Sequence, residues 1–260
     1  MLNFFIFVFL FGLITGSFLN CVIYRLQKDE SFLFGRSYCP YCKKTLSWRD
    51  LIPVLSFLIL RGRCRYCHKK ISWQYPLVEL FTAILFVSVF YFIFQNQILT
   101  IYSILNLCFL FIFSCFLIVI FVYDFKCFLI PDKIIYPAIF LSFLYNLLDI
   151  RYLIFNVFPV TLCAFLFFLI IFLISRGKWM GFGDVKLVIF LGLLLGFPGI
   201  LVALFLAFFI GAIIGIGLMI FEKKNLKSEV PFAPFLIIGT LIALFFGNFI
   251  FHWYISFVMH

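Results

Sequence analysis

Long apolar runs separated by short polar stretches set the pattern of this chain. A membrane-crossing helix needs roughly 20 apolar residues. Runs of that kind fall at 4–24, 77–95, 99–123, 133–148, 152–175, 185–197, 199–221 and 235–256. The sixth is short, and only Phe197-Pro198-Gly199 separates it from the seventh. That pair is a candidate tight hairpin, with seven spans as the alternative to eight. The pattern predicts an all-α polytopic membrane protein of about eight transmembrane helices. One polar stretch, 26–76, is long enough to fold outside the membrane. The expected organisation is a first transmembrane helix over 1–25, a loop domain over 26–76 and a transmembrane core over 77–260.

Composition agrees. Hydrophobic residues make up 66% of the 260 and include 43 Phe, and the mean hydropathy is +1.24. A soluble domain is closer to half apolar. The opening MLNFFIFVFLFGL has no basic region before its apolar run, and the run continues through GSFLNCVIY, so a removable signal peptide is not expected.

The net charge of +10 first has to be placed by topology. Arg25 to Lys70 holds 11 basic residues, 124–133 holds two, and 176–186 and 222–229 hold three each. With eight spans, all four segments lie on one side, leaving only Arg151 opposite. The positive-inside rule makes that side cytoplasmic and puts both termini outside. The charge is thus a topology signal and requires no nucleic-acid partner.

Within 26–76 the chain reads SYCPYCKKTL and then LRGRCRYCHKK. Cys39 and Cys42 form one C-x2-C pair, and Cys64 and Cys67 form a second. Two such pairs can wrap one tetrahedral ion, and four thiolates leave no open position on it. The expectation is a structural zinc site. Disulfides or a redox pair are the competing readings; structural disulfides are rare in a cytoplasmic loop, and the paired C-x2-C spacing favours zinc. His68, beside Cys67, is a rival ligand or a solvated loop residue. The other five cysteines lie in or beside apolar runs and read as small buried hydrophobes.

Acids within spans are costly and mark function by default. Glu79 opens the second span, Asp124 ends the third, Asp132 follows Pro131, and Asp184 opens the sixth. All four lie near one membrane face. Each has a structural alternative: Asp184 as a helix cap or a partner of Lys186, Asp124 as a partner of Lys126, Asp132 as a cap after a proline turn. Gly181 and Gly183, directly before Asp184, remove side chains where another backbone could approach. Two acids on different helices at similar depth are what an aspartyl dyad needs, because close like charges share one proton.

At this point the chain resembles the type IV prepilin peptidase family of GxGD-type intramembrane aspartyl proteases. GSFLNCVIYRL (16–26), the two C-x2-C pairs, YPLVEL (75–80), DFKCFLIPD (124–132), GFGDVKL (181–187) and PFAPFL (231–236) follow the family's motifs in order. Cys21, Gln27, Ile130 and Ala233 depart from the usual residues, and none of them touches the two acids. The resemblance implies that Asp124 and Asp184 are catalytic and Asp132 is not. It implies cleavage of the basic leader of prepilin-like precursors at the cytoplasmic face of the bacterial inner membrane. It also implies methylation of the new N-terminus with S-adenosylmethionine. Gly62 matches a position linked to methylation, with Glu79 and Arg25 as further candidates; a turn glycine is the alternative for Gly62. No G-x-G-x-x-G signature accompanies them. Two other readings are an ion-coupled transporter using the intramembrane carboxylates and a non-enzymatic assembly protein whose zinc loop docks a partner.

Overall fold

A computed structural model describes residues 2–31, 35–96, 100–222 and 231–258. Among these there are helices and turns, two isolated bridges and no strand. The helices are α1 (Leu2–Gln27), α2 (Leu55–Ile59), α3 (Gln74–Asn96), α4 (Ile101–Cys127), α5 (Asp132–Asn146), the short α6 (Ile150–Tyr152), α7 (Phe158–Ser175), α8 (Phe182–Glu222) and α9 (Ala233–Val258). The chain divides into two compact units, Met1–Val119 and Ile120–His260.

In the first unit α1 packs on α3 through glycines one turn apart. A Cβ on Gly12 would lie 2.6 Å from the Ala83 Cα, and one on Gly16 would lie 2.7 Å from the Glu79 Cα. Small residues at this spacing let two helices in a bilayer approach closely, where hydrophobic burial offers little drive. Phe86 stacks on Phe111 at 4.1 Å and meets Phe11 at 5.9 Å, filling the space beside the contact.

In the second unit one arm of α8 is the centre. Asn146, at the end of α5, donates its side-chain N–H to the Leu193 carbonyl at 2.8 Å, while Lys186 reaches Asp132 at the start of α5. The two therefore run in the same direction. The α7 helix runs opposite, with Thr161 against Gly192 and Phe172 against Phe182. At Gly196 (φ 60°, ψ −166°) and Phe197 the α8 backbone leaves the helical region. Past that break Phe208 meets Phe168, which lies between Thr161 and Phe172 on α7. The second arm of α8 thus returns along the first, as the sequence reading of a hairpin at Phe197-Pro198-Gly199 expects. This arm packs on α9 without a spacer: a Cβ on Gly239 would run into the Ala203 carbonyl.

Six segments of the described residues are long and apolar enough to cross a membrane. Two of them, Asp132–Ser175 and Phe182–Gly217, have 44 and 36 residues. As continuous helices these would exceed the roughly 30 Å hydrocarbon layer, at about 1.5 Å per residue. Each is broken inside. The first breaks around Leu147–Asp149, where Asp149 has φ −131° and ψ 87°; the second breaks at Gly196. Asp149 closes the first break by accepting the Tyr152 backbone N–H.

Candidate active site and metal centre

Asp124 lies in the last turn of α4. Phe128 ends that helix with a left-handed backbone (φ 54°), and its N–H returns to the Asp124 carbonyl. The chain then crosses to Pro131 and starts α5 at Asp132. Asp184 lies in the first turn of α8, and its backbone N–H donates to the Gly181 carbonyl. It is therefore not the cap residue itself but an acid inside the first turn, where a carboxylate suits the positive end of the helix dipole.

Asp124 and Asp184 are 5% and 9% exposed, and their charges are within electrostatic reach of each other. One carboxylate oxygen of Asp124 is buried with no hydrogen-bond partner. A buried, unsatisfied carboxylate oxygen is costly in a resting fold and points to a role with substrate or water. The cations expected to neutralise the acids are elsewhere. Lys186 pairs with Asp132 at 2.6 Å and lies over the Tyr136 ring at 4.9 Å. Among the described residues no ion pair joins Asp124 to Lys126. Asp132, 60% exposed at its side chain, takes up the lysine and favours the start of α5 through the helix dipole.

A second contact binds the two motif segments. Gly183 sits against Ile130, where a Cβ would fall 3.1 Å from the Ile130 Cβ. A Cβ on Gly181 would enter open space, its nearest neighbour being the Gly183 nitrogen at 3.9 Å. The two glycines of the GxGD motif therefore do different jobs: the second permits a close approach and the first caps a helix.

The four cysteines form a centre of their own. The ligand atoms of Cys39, Cys42, Cys64 and Cys67 all lie within 4.8 Å of one another, and Cys39 Sγ is 3.8 Å from Cys67 Sγ. A tetrahedral ion with bonds of about 2.3 Å sets its sulfurs roughly 3.8 Å apart, so the cluster fits zinc closely. Each pair is held by the same turn. The Cys39 N–H donates to the Lys44 carbonyl and the Lys43 N–H to the Cys39 carbonyl; Cys64, Lys69 and His68 repeat both bonds. Lys43 (φ 58°) and His68 (φ 55°) are equivalent left-handed turn residues. His68 is exposed and belongs to the turn, not to the ligand set. The halves also exchange side chains: Lys44 lies over Tyr66 at 4.4 Å, and Lys69 lies over Tyr41 at 4.7 Å. Between them, Asp50 accepts from Ser47, Arg65 and Tyr66. Burial works to raise the Asp50 carboxyl, but these hydrogen bonds outweigh it and hold it below the usual aspartate range.

Arg25, Glu79 and Gly62, the three candidates for methyl transfer, are each tied to loop backbone. Arg25 is buried and donates to the Ser31 and Arg36 carbonyls. Glu79 is buried and accepts the Val54 N–H at 2.7 Å. Gly62 (φ 67°) follows α2, and a Cβ there would fall 3.1 Å from the Phe57 ring, in a backbone conformation strained for any side chain.

Comparison with known proteins settles the lineage. Residues 10–93 match the bacterial peptidase A24 N-terminal domain, and residues 111–216 match the type IV leader peptidase family. The chain belongs to the type IV leader peptidase family. A prepilin leader peptidase/N-methyltransferase of Aeromonas salmonicida is 32% identical over 281 residues, covering 97% of this chain and 94% of the relative. One from Bacillus subtilis is also 32% identical, covering 96% of this chain and 97% of the relative. One from Legionella pneumophila is 30% identical and covers 96% and 94%. No solved structure matches. Both segments that carry the buried acids, 124–132 and 181–187, fall inside the matched peptidase region. The family assignment leaves the transporter reading without support.

Proposed function

We propose that this leader peptidase family member cleaves type IV prepilin-like precursors with Asp124 and Asp184 and then methylates the new N-terminus. The observation that carries the reading is a pair of buried carboxyls within electrostatic reach of each other, with the nearby lysine drawn away to Asp132. Two such groups share a proton, since both cannot be ionised at short range. The ionised acid takes a proton from water as that water attacks the scissile carbonyl. The protonated acid polarises the carbonyl oxygen, and a proton passes to the departing amine. Asp132 is the lysine's partner in this scheme and has no part in the chemistry.

The substrate's apolar helix would lie in the bilayer against the spans, with its basic leader in the cytoplasm. The fold-backs at Leu147–Asp149 and Gly196 favour eight crossings, which gather 19 of the 20 Lys and Arg on one side. In this scheme the multi-pass chain sits in the bacterial inner membrane, with the 26–76 loop and both acids facing the cytoplasm and 77–260 as the peptidase core. Cys39, Cys42, Cys64 and Cys67 hold a structural zinc ion that closes the loop. S-adenosylmethionine, when bound, supplies an electrophilic methyl group. Arg25, Glu79 and Gly62 would contribute to methyl transfer by fixing the loop backbone.

The test is co-expression of a tagged prepilin with the wild-type chain, Asp124→Asn, Asp184→Asn or Asp132→Asn. Leader removal and N-methylation are read by mass spectrometry. Cleavage lost in the first two and kept in the third is the expected result. Mature product in either of the first two sinks the dyad.

A further inference from the structure

The short helix α2 has two apolar faces. Phe57 points inward, buried against Gly62 and 4.9 Å from the Trp73 ring. Leu55, Leu58 and Ile59 lie at helical spacing on the other side and are exposed, Leu58 at 60% and Ile59 at 74%. The helix is also tied to the start of a span. The Val54 N–H, at its start, is bonded to Glu79, which lies just inside the apolar run of α3. Around Glu79 the outward residues of α3 are Leu77, Leu80 and Phe81. The exposed face of α2 is therefore fixed beside the point where α3 enters the hydrocarbon. Directly after α2 the chain turns at Arg61 and forms a cleft of 480 Å³ on the outer side of Cys64, lined also by Ile59, Leu60, Arg61, Arg63, Arg65 and His68.

We propose that α2 and this arginine cleft form a docking site for anionic phospholipid of the membrane the chain itself crosses. The acyl chains would lie on Leu55, Leu58 and Ile59, with the phosphate in the cleft between the guanidinium groups. An apolar helix face flanked by cations is the pattern that seats a segment in the interface plane. Each basic group near an anionic leaflet adds attraction of its own. Arg65 already engages Asp50 on the metal loop, so a lipid held here would brace the whole four-cysteine loop against the bilayer. This inference is independent of the proposed cleavage chemistry.

The test is amide hydrogen exchange on the full-length, metal-loaded protein in nanodiscs of phosphatidylcholine, with and without phosphatidylglycerol. Exchange over residues 55–65 should slow roughly fivefold in the anionic discs, the factor for about one cation–surface contact. Arg61→Gln/Arg63→Gln should erase that difference, while Arg151→Gln, on the other side of the spans, should keep it. Should the double variant lose its metal, Leu58→Gln carries the test with the same readout. Equal exchange in the two discs overturns the proposal, as does a difference that survives in both loop variants. So does slowing by inorganic phosphate in neutral discs, which would mark a free-anion site.

Discussion

The two glycines before Asp184 should respond differently to one added methyl group. At Gly183 the new Cβ would lie 3.1 Å from the Ile130 Cβ, with Cγ1 and Cδ1 at 3.3 and 3.4 Å. Carbon atoms rest about 3.5–4.0 Å apart, so Ile130 must retreat by a few tenths of an ångström. A rotamer change cannot relieve a contact to Cβ, which is fixed to the backbone. The segment joining Asp124 to Asp132 has to move instead. Such overpacking costs about 1–3 kcal/mol, and replacing a helical glycine with alanine returns up to about 1 kcal/mol. The net loss of stability is therefore small, on the order of 1 kcal/mol. The loss of alignment is not. A misplacement of about 1 Å can cost roughly 100-fold in rate, so a few tenths should cost about 10-fold. At Gly181 a Cβ meets only the Gly183 nitrogen, at 3.9 Å. Alanine there forfeits a good cap, worth up to about 1 kcal/mol, without pushing on Ile130. Initial rates of leader removal and thermal unfolding, measured on both variants, separate the two effects. Gly183→Ala should keep most of its stability and lose about 10-fold in rate, while Gly181→Ala should stay within roughly 3-fold in rate. Equal activities, or the reverse order, would refute the reasoning.

Other perturbations have equally definite outcomes. Cys64→Ser, or a strong chelator, should release the bound zinc and open the 36–72 loop to protease, since apolar burial alone cannot hold so short a segment; metal retained by Cys64→Ser would contradict a four-thiolate site. Gly239→Ala should lower the thermal midpoint sharply, because its Cβ would run into the Ala203 carbonyl and sit 3.1 Å from the Ala207 nitrogen. Gly215→Ala, with nothing within 4 Å, should be neutral or mildly stabilising. Matching midpoints for these two would show that α8 and α9 are not so closely packed.

Much of the site could be read from the chain because its chemistry is local in sequence. The two C-x2-C pairs carry their own turn geometry, and an acid at the end of an apolar run is conspicuous whatever surrounds it. The hairpin at Phe197-Pro198-Gly199 was legible for a similar reason: few apolar runs are interrupted by adjacent Pro and Gly. What escaped depends on distance. Lys186 has Asp184 two residues away and Asp132 on another helix, and sequence alone favours the near partner. The structure chooses the far one, because residue i+2 on a helix points away from its neighbour. Arg25 and Glu79 stand out as charges at span ends, but their contacts to the Ser31 and Arg36 carbonyls and the Val54 N–H are to backbone groups, which no residue pattern reveals. The crossed Lys44–Tyr66 and Lys69–Tyr41 contacts did have a signal. The two halves share a Tyr-Cys-x-Lys order, YCKK and YCHK.

That shared order has a consequence for how the loop fills. Each half keeps its own backbone turn but lends its lysine to the ring of the other. Neither half is complete until its twin is in place. A loop with one sulfur pair engaged would have both lysines adrift and the second pair unassembled, so intermediate occupancy has little to sustain it. Metal uptake should then be all-or-none, leaving either a finished loop or an unformed one, with no partly assembled population between them.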